Sequence, residues 1–160
     1  MCIALMTLVA MLAGMPALLS GDQSVRNEEE GSTMHTIRIT FDEGAAERHA
    51  IIATLEDNAT TRDFMALLPL ALTLKDYAST EKVADLPGTL STQGAPAGFE
   101  PATGDLTYYA PWGNLAIFYR DFSYSRGLVH LGRITDGLEH LHFSGSRRVT
   151  IARATAATQP

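Results

Sequence analysis

Residues 36–41 read Thr-Ile-Arg-Ile-Thr-Phe, placing Ile37, Ile39 and Phe41 on one side of an extended chain and Thr36, Arg38 and Thr40 on the other. A strict two-residue period is the mark of a half-buried β-strand. The same beat returns along the chain. "HAIIATLED" (49–57) carries Ile51, Ala53 and Leu55 in phase, and "DEGAAER" before it supplies a turn, so the two segments predict an antiparallel hairpin. Leu70, Leu72 and Leu74 alternate into "KDYASTEKVADL", while "DLTYYA" (105–110), "LAIFY" (115–119), "GLVHLGRI" (127–134) and "RRVTIARA" (147–154) read as further strands. Helical spacing occurs in "NATTRDFMALLPL", with Phe64, Leu67 and Leu68 at i, i+3 and i+4; Thr60 and Asp63 predict a capping box there, and Pro69 ends the helix. Asn58-Ala59-Thr60 has the form of a glycosylation sequon but falls where a helix cap is expected. "TDGLEHLHF" predicts one more helical turn. Seven or eight strands in a mostly antiparallel sheet hide their edges best by closing on themselves. The expected fold is mostly β: a closed eight-stranded antiparallel barrel with one or two short helices, one of them plugging an open end.

The first thirty residues do not share this rhythm. "MCIALMTLVAMLAGMPALLS" holds no charged side chain through Ser20, and "GDQSVRNEEEGST" then turns polar. An apolar run ending in small residues predicts a signal peptide over residues 1–21 and a linker over 22–33. No Lys or Arg precedes the run, so an uncleaved membrane anchor and a mis-assigned start stand as alternatives. Asp22 occupies the place of the cysteine in a lipoprotein box. Cys2 is the only cysteine and would depart with the signal, leaving a mature chain without thiols. The barrel domain is expected over 34–154, followed by a tail over 155–160. Cleavage implies a periplasmic or secreted protein; without it the chain is cytoplasmic. A formal charge of −6, with twelve scattered basic residues, excludes a nucleic-acid partner, because phosphate recognition needs clustered Lys and Arg.

Chemistry concentrates in "YYAPWGNLAIFYRDF" (108–122), which holds six of the chain's twelve aromatic residues. The Pro, Gly and Asn of "PWGN" suit a turn. Alternation forbids Tyr108 and Tyr109 from both facing the core, so one of them, with Trp112 in the turn, is expected to face outward or line a mouth. Tyr109, Trp112, Asn114, Arg120 and Tyr124, together with Arg62, are the candidate ligand-binding residues. "PGTLSTQGAPAGFEPATGD" (87–105) reads as a long surface loop beside them, and loops of this length in a compact domain are often functional. Glu81 and Lys82 must point to opposite faces of their strand. If Glu81 faced the interior it would need a partner. Of the histidines His35, His49, His130, His140 and His142, the last two are two apart, and a metal site would need a third ligand the sequence does not assign. No nucleophile elbow, P-loop or dinucleotide fingerprint occurs, so no cofactor is expected.

"GDLTYYAPWGNLAIFY" (104–119), with "RDFMALLPLALTLKDYASTEKVADLP" (62–87) before it and "YSRGLVHLGRI" (124–134) after it, resembles the bacterial cyclophilin-like proteins. The resemblance spans roughly Met34 to Ala154: a helix ending in "LLPL", the "EK" strand, the Gly-Asp entry to "YYAPWGN" and a glycine-bearing strand before the second helix occur in order. It implies a small eight-stranded barrel related in fold to cyclophilins, a family without a generally established activity. The Phe-His-Arg and Gln-Gly-Gly segments of prolyl isomerases find no counterpart here, so no catalytic residue carries over. The expected function is an exported domain that binds a small molecule or peptide in a barrel-mouth cleft between the 108–126 aromatics and the 87–103 loop. A prolyl isomerase using Arg62 or Arg120, and an interaction module without a ligand, are the alternatives. The sequence leaves oligomeric state open.

Overall fold

The computed structural model describes residues 34–42 and 50–154. The predicted signal peptide, linker and C-terminal tail, and most of the "DEGAAER" turn with His49, lie outside the described residues.

Ten strands, one α-helix and one 3-10 turn make up the described chain. They run β1 (His35–Phe41), β2 (Ala50–Leu55), α1 (Ala59–Ala66), β3 (Leu70–Tyr77), β4 (Glu81–Asp85), β5 (Gly98–Phe99), β6 (Asp105–Tyr109), β7 (Asn114–Phe118), β8 (Ser125–Arg126), β9 (Leu128–Asp136), the 3-10 turn (Leu138–Leu141) and β10 (Ser146–Arg153). Eight strands close into a barrel in the order β1-β10-β3-β4-β7-β6-β9-β2, and β5 and β8 form a separate two-stranded ribbon. Every pairing is antiparallel, beginning with the expected β1–β2 hairpin, where Ile39 stands opposite Ile51 and Ile37 opposite Ala53.

The alternating residues of each strand fill the barrel: Ile37, Ile39, Ile51, Leu55, Leu74, Leu106, Leu115, Ile117, Leu131, Val149 and Ile151 are all buried in one cluster. Helix α1 adds Phe64 and Met65 to it. Gly132 of β9 lies opposite both Leu55 of β2 and Leu106 of β6. A Cβ there would collide with the Thr54 carbonyl oxygen and the Leu55 Cα, so only glycine lets the three strands approach this closely.

One local expectation is corrected and a second is sharpened. The helix cap is Asn58, whose Oδ1 accepts the Thr61 N–H at 2.8 Å. Such a cap is worth about 1 kcal/mol. Thr60 and Asp63 form no capping box; instead Thr60 Oγ1 donates to the Ser91 carbonyl at 2.6 Å, and Asp63 Oδ2 accepts the Ser91 N–H at 2.7 Å. Helix α1 thus grips the backbone of the 87–105 segment. That segment runs over the surface for most of its length, as expected, and is anchored along it: Leu90 is buried, its N–H donates to the Tyr108 hydroxyl at 3.2 Å, and β5 pairs with β8 further on.

The ribbon has a consequence for the barrel wall. Strand β7 is buried at all five positions and β6 at four of five, so both faces of this part of the sheet are covered. Ala116, Phe118 and Leu128 form a second apolar cluster on the outer face, with Phe99 of β5, Val83 and Tyr109 packed against it.

Candidate functional site

Outside the barrel, the face made by β3, β4, β7 and β6 carries a cleft of about 220 Å³. Register brings its residues together from four strands. Tyr77 of β3 stands opposite Glu81 of β4, Glu81 opposite Phe118 of β7, and Asn114 of β7 opposite both Asp85 and Tyr109. The β6–β7 turn is held by the Gly113 N–H, which donates to the Tyr109 carbonyl at 2.9 Å, with Gly113 at φ +67° where a larger residue would be strained. This turn throws Trp112 back over the cleft, 59% exposed. Its ring meets Tyr77 edge to face at 5.7 Å and 86°, and Tyr109 at 5.4 Å and 81°. Phe122 stacks on Phe118 at 6.2 Å and closes the other end.

Two acceptors that line this aromatic cleft, an amide oxygen and a carboxylate, meet no donor among the described residues. Asn114 is 4% exposed, and its Oδ1 is buried and accepts no hydrogen bond. Glu81 forms neither a hydrogen bond nor an ion pair, and burial against the rings pushes its carboxyl pKa up to about 7. Lys82, the next residue, points into the barrel and is 1% exposed. Its ammonium donates to Asp76 Oδ1 at 2.5 Å and to the Phe143 carbonyl, and lies over the Phe143 and Tyr119 rings at 4.0 and 4.9 Å from their centroids. The Tyr119 hydroxyl also donates to Asp76 Oδ1, and these two donors hold the Asp76 carboxyl below its ordinary range.

Of the candidate residues, the structure gathers Tyr109, Trp112 and Asn114 into the cleft and puts the other three elsewhere. Arg62 is exposed on α1 and paired with Asp57 at 2.6 Å. Arg120 reaches over the Tyr119 ring at 6.0 Å and does not line the cleft. Tyr124 lies with its ring against Gly98, where a Cβ would come within 2.7 Å of the phenol, so it clamps the β5–β8 ribbon. Tyr77, Glu81, Phe118 and Phe122 are lining residues that sequence reasoning did not nominate.

A second cleft of about 370 Å³ opens between the 93–99 segment and β9, around His130. The aromatics and the 87–103 loop, expected to share one mouth, line two separate clefts. The groups of this second cleft already serve one another. His130 Nδ1 lies 3.1 Å from Glu56 Oε1, its ring stacks on Phe99 at 4.7 Å, and Asn58 Nδ2 donates to the His130 carbonyl at 3.2 Å. His140 and His142 do not converge: one meets the Phe41 ring, the other Tyr119. Among the described residues no group of three or more His, Cys, Asp or Glu side chains is placed to hold a metal, and no helix is long and apolar enough to cross a membrane.

Comparison with known families agrees with the resemblance seen in the sequence. The model of the cyclophilin-like family matches residues 45–152, well over half of the chain, and no curated protein matches it. The chain belongs to the cyclophilin-like family.

Proposed function

We propose that this cyclophilin-like protein is a binding domain whose ligand, a small molecule or short peptide, occupies the aromatic cleft beneath Trp112. One observation carries the reading: the cleft combines a largely exposed Trp112 with the partnerless buried Asn114 Oδ1. Exposed aromatic area favours filling, and a buried acceptor without a donor favours a ligand that brings one. The larger His130 cleft offers less, because His130 is already engaged by Glu56 and Asn58. Binding fits better than prolyl isomerisation, since no arginine lines the cleft to polarise a prolyl nitrogen.

Trp112 is the only tryptophan in the chain, so its emission reports on the cleft alone. A library of small molecules and short peptides screened by that signal should yield ligands. Trp112→Ala, assayed by calorimetry, should weaken their binding by about tenfold or more, while the melting temperature stays within about 3 °C. A fall in melting temperature with affinity intact would make the ring structural and sink the reading.

We also infer export, from the uncharged apolar stretch through Ser20 and the polar switch after it. N-terminal sequencing of protein from its native host should begin near Gly21; a chain that begins at Met1 argues for an anchor or a cytoplasmic protein.

A further inference from the structure

We infer that the aromatic cleft takes a primary ammonium on an aliphatic stem whose far end carries a second N–H donor. The inference rests on the binding reading above and names the chemistry of the ligand. The carboxylate and the buried amide oxygen of the cleft are the starting point; the Tyr77, Tyr109 and Ser125 hydroxyls and the Trp112 N–H line it beside them. Glu81 and Asn114 Oδ1 are both acceptors, and among the described residues neither meets a donor. An anionic ligand would be repelled by Glu81, and a purely apolar one would leave both acceptors orphaned, at a cost of about 1–3 kcal/mol each. A ligand rich in N–H and positive charge satisfies both.

Register sets the length of that ligand. Asn114 stands opposite Asp85, four residues along β4 from Glu81, which separates the two sites by about 13 Å between backbones at roughly 3.3 Å per residue. The reach of the two side chains shortens this to the span of an alkyl chain. Trp112, touching Tyr109 at one end and Tyr77 at the other, lies along that span. Its ring offers apolar surface to a stem, and the rings beside Glu81 offer their electron-rich faces to a cation. A volume of about 220 Å³ suits such a slender ligand better than a drug-sized one, for which pockets of roughly 300–1,000 Å³ are usual.

The protein holds an internal precedent one residue away. On the opposite face of β4 the Lys82 ammonium sits on a carboxylate, Asp76, between the faces of Phe143 and Tyr119. Glu81 with Tyr77, Trp112 and Phe118 repeats those ingredients on the outer face without the ammonium. The titratable and charged groups around Glu81 do not supply one. Tyr77 and Tyr109 line the cleft from β3 and β6, Asp85 ends β4, and β7 contributes none. Lys75 of β3, opposite Val83, lines an adjoining hollow with Asp85, Trp112 and Asn114, and it forms no ion pair with Glu81.

The test titrates two probes by Trp112 emission at about pH 8, where both amines are protonated: Nα-acetyl-lysine amide, standing for a lysine residue in a peptide, and 1,5-diaminopentane, standing for a free diamine. Nα-acetyl-lysine amide should bind at least about tenfold tighter than its Nε-acetylated form, and Glu81→Gln, shown folded by circular dichroism, should abolish that preference. The tighter of the two probes identifies the source. Equal binding of the acetylated form, or a preference that survives in Glu81→Gln, overturns the inference. If library compounds without an amine bind while the two probes do not, the ammonium is wrong and the cleft reading stands; if nothing moves Trp112 emission, both fall.

Discussion

Replacing Lys82 by methionine should lower the free energy of unfolding by about 2–4 kcal/mol, a loss out of scale with removing one surface charge. Lys82 is 1% exposed, and its ammonium is the point where three elements meet: Asp76 at the end of β3, the Phe143 carbonyl after the 3-10 turn, and the Tyr119 ring beyond β7. Methionine fills a similar volume, so little cavity is created. What remains is a carboxylate and a carbonyl that lose their donor. Asp76 keeps the Tyr119 hydroxyl and is partly open to water, which places the expected cost below the upper end for breaking a buried pair. Urea denaturation should show a lower midpoint with an unchanged slope. The double variant Lys82→Met/Asp76→Leu should recover part of the loss, because both charges are then gone together. An unchanged midpoint in the single variant would mean that the ammonium contributes nothing net, and the turn is held by packing alone.

Lys82 also marks where alternation stopped being readable. In β1 Ile37, Ile39 and Phe41 alternate with Thr36, Arg38 and Thr40, so the period alone fixes which side is inside. In β4 it does not. Val83 faces the outer cluster and Ala84 the barrel, so both phases carry an apolar residue, and the question of whether Glu81 or Lys82 points inward has no answer in the strand itself. The cause is the cover on the outer wall, where Phe99 of the β5–β8 ribbon packs on Ala116, Phe118 and Leu128 and Phe122 stacks on Phe118, so β6 and β7 are buried on both sides. A two-residue ribbon strand such as Gly98–Phe99 is too short to show a period, and it reads as loop.

The cleft was half legible for the same reason. Tyr109, Trp112 and Asn114 share one hairpin, and nearness in sequence is enough to group them. Tyr77 and Glu81 arrive through strand register across β3, β4 and β7, which no local pattern reveals. Nearness in sequence does not bring Arg120 and Tyr124 into this cleft: beyond the end of β7 the chain leaves the sheet, and strand phase no longer aims their side chains. The Thr60–Asp63 spacing has the right form for a capping box, yet the pair holds Ser91 because Asn58 already supplies the cap.

Glu81 gives a stability prediction whose sign is opposite to that of an ordinary ion-paired carboxylate. Its pKa stands at about 7 in the folded chain against an ordinary value of 4.5, because the aromatic cleft strips water from the charged form. The folded state therefore holds this proton more tightly than the unfolded state does. Stability from this group is full below about pH 4.5, declines as pH rises toward 7, and is level above that. Asp76 runs the other way, since its carboxyl is held low by Lys82 and Tyr119, and its contribution is lost only as the solution becomes acidic. Between about pH 4.5 and 7 the Glu81 slope should dominate. Glu81 is only part-buried, so solvent screening reduces the effect, and Glu81→Gln should stabilise the protein by about 1–2 kcal/mol at pH 8 and by nothing at pH 4. Urea midpoints taken across that range measure it directly, and parallel curves for the two proteins would show that Glu81 is not desolvated in the cleft. If a cation is what it awaits, saturating Nα-acetyl-lysine amide should raise the melting temperature of the wild type at pH 8 and leave that of Glu81→Gln where it was.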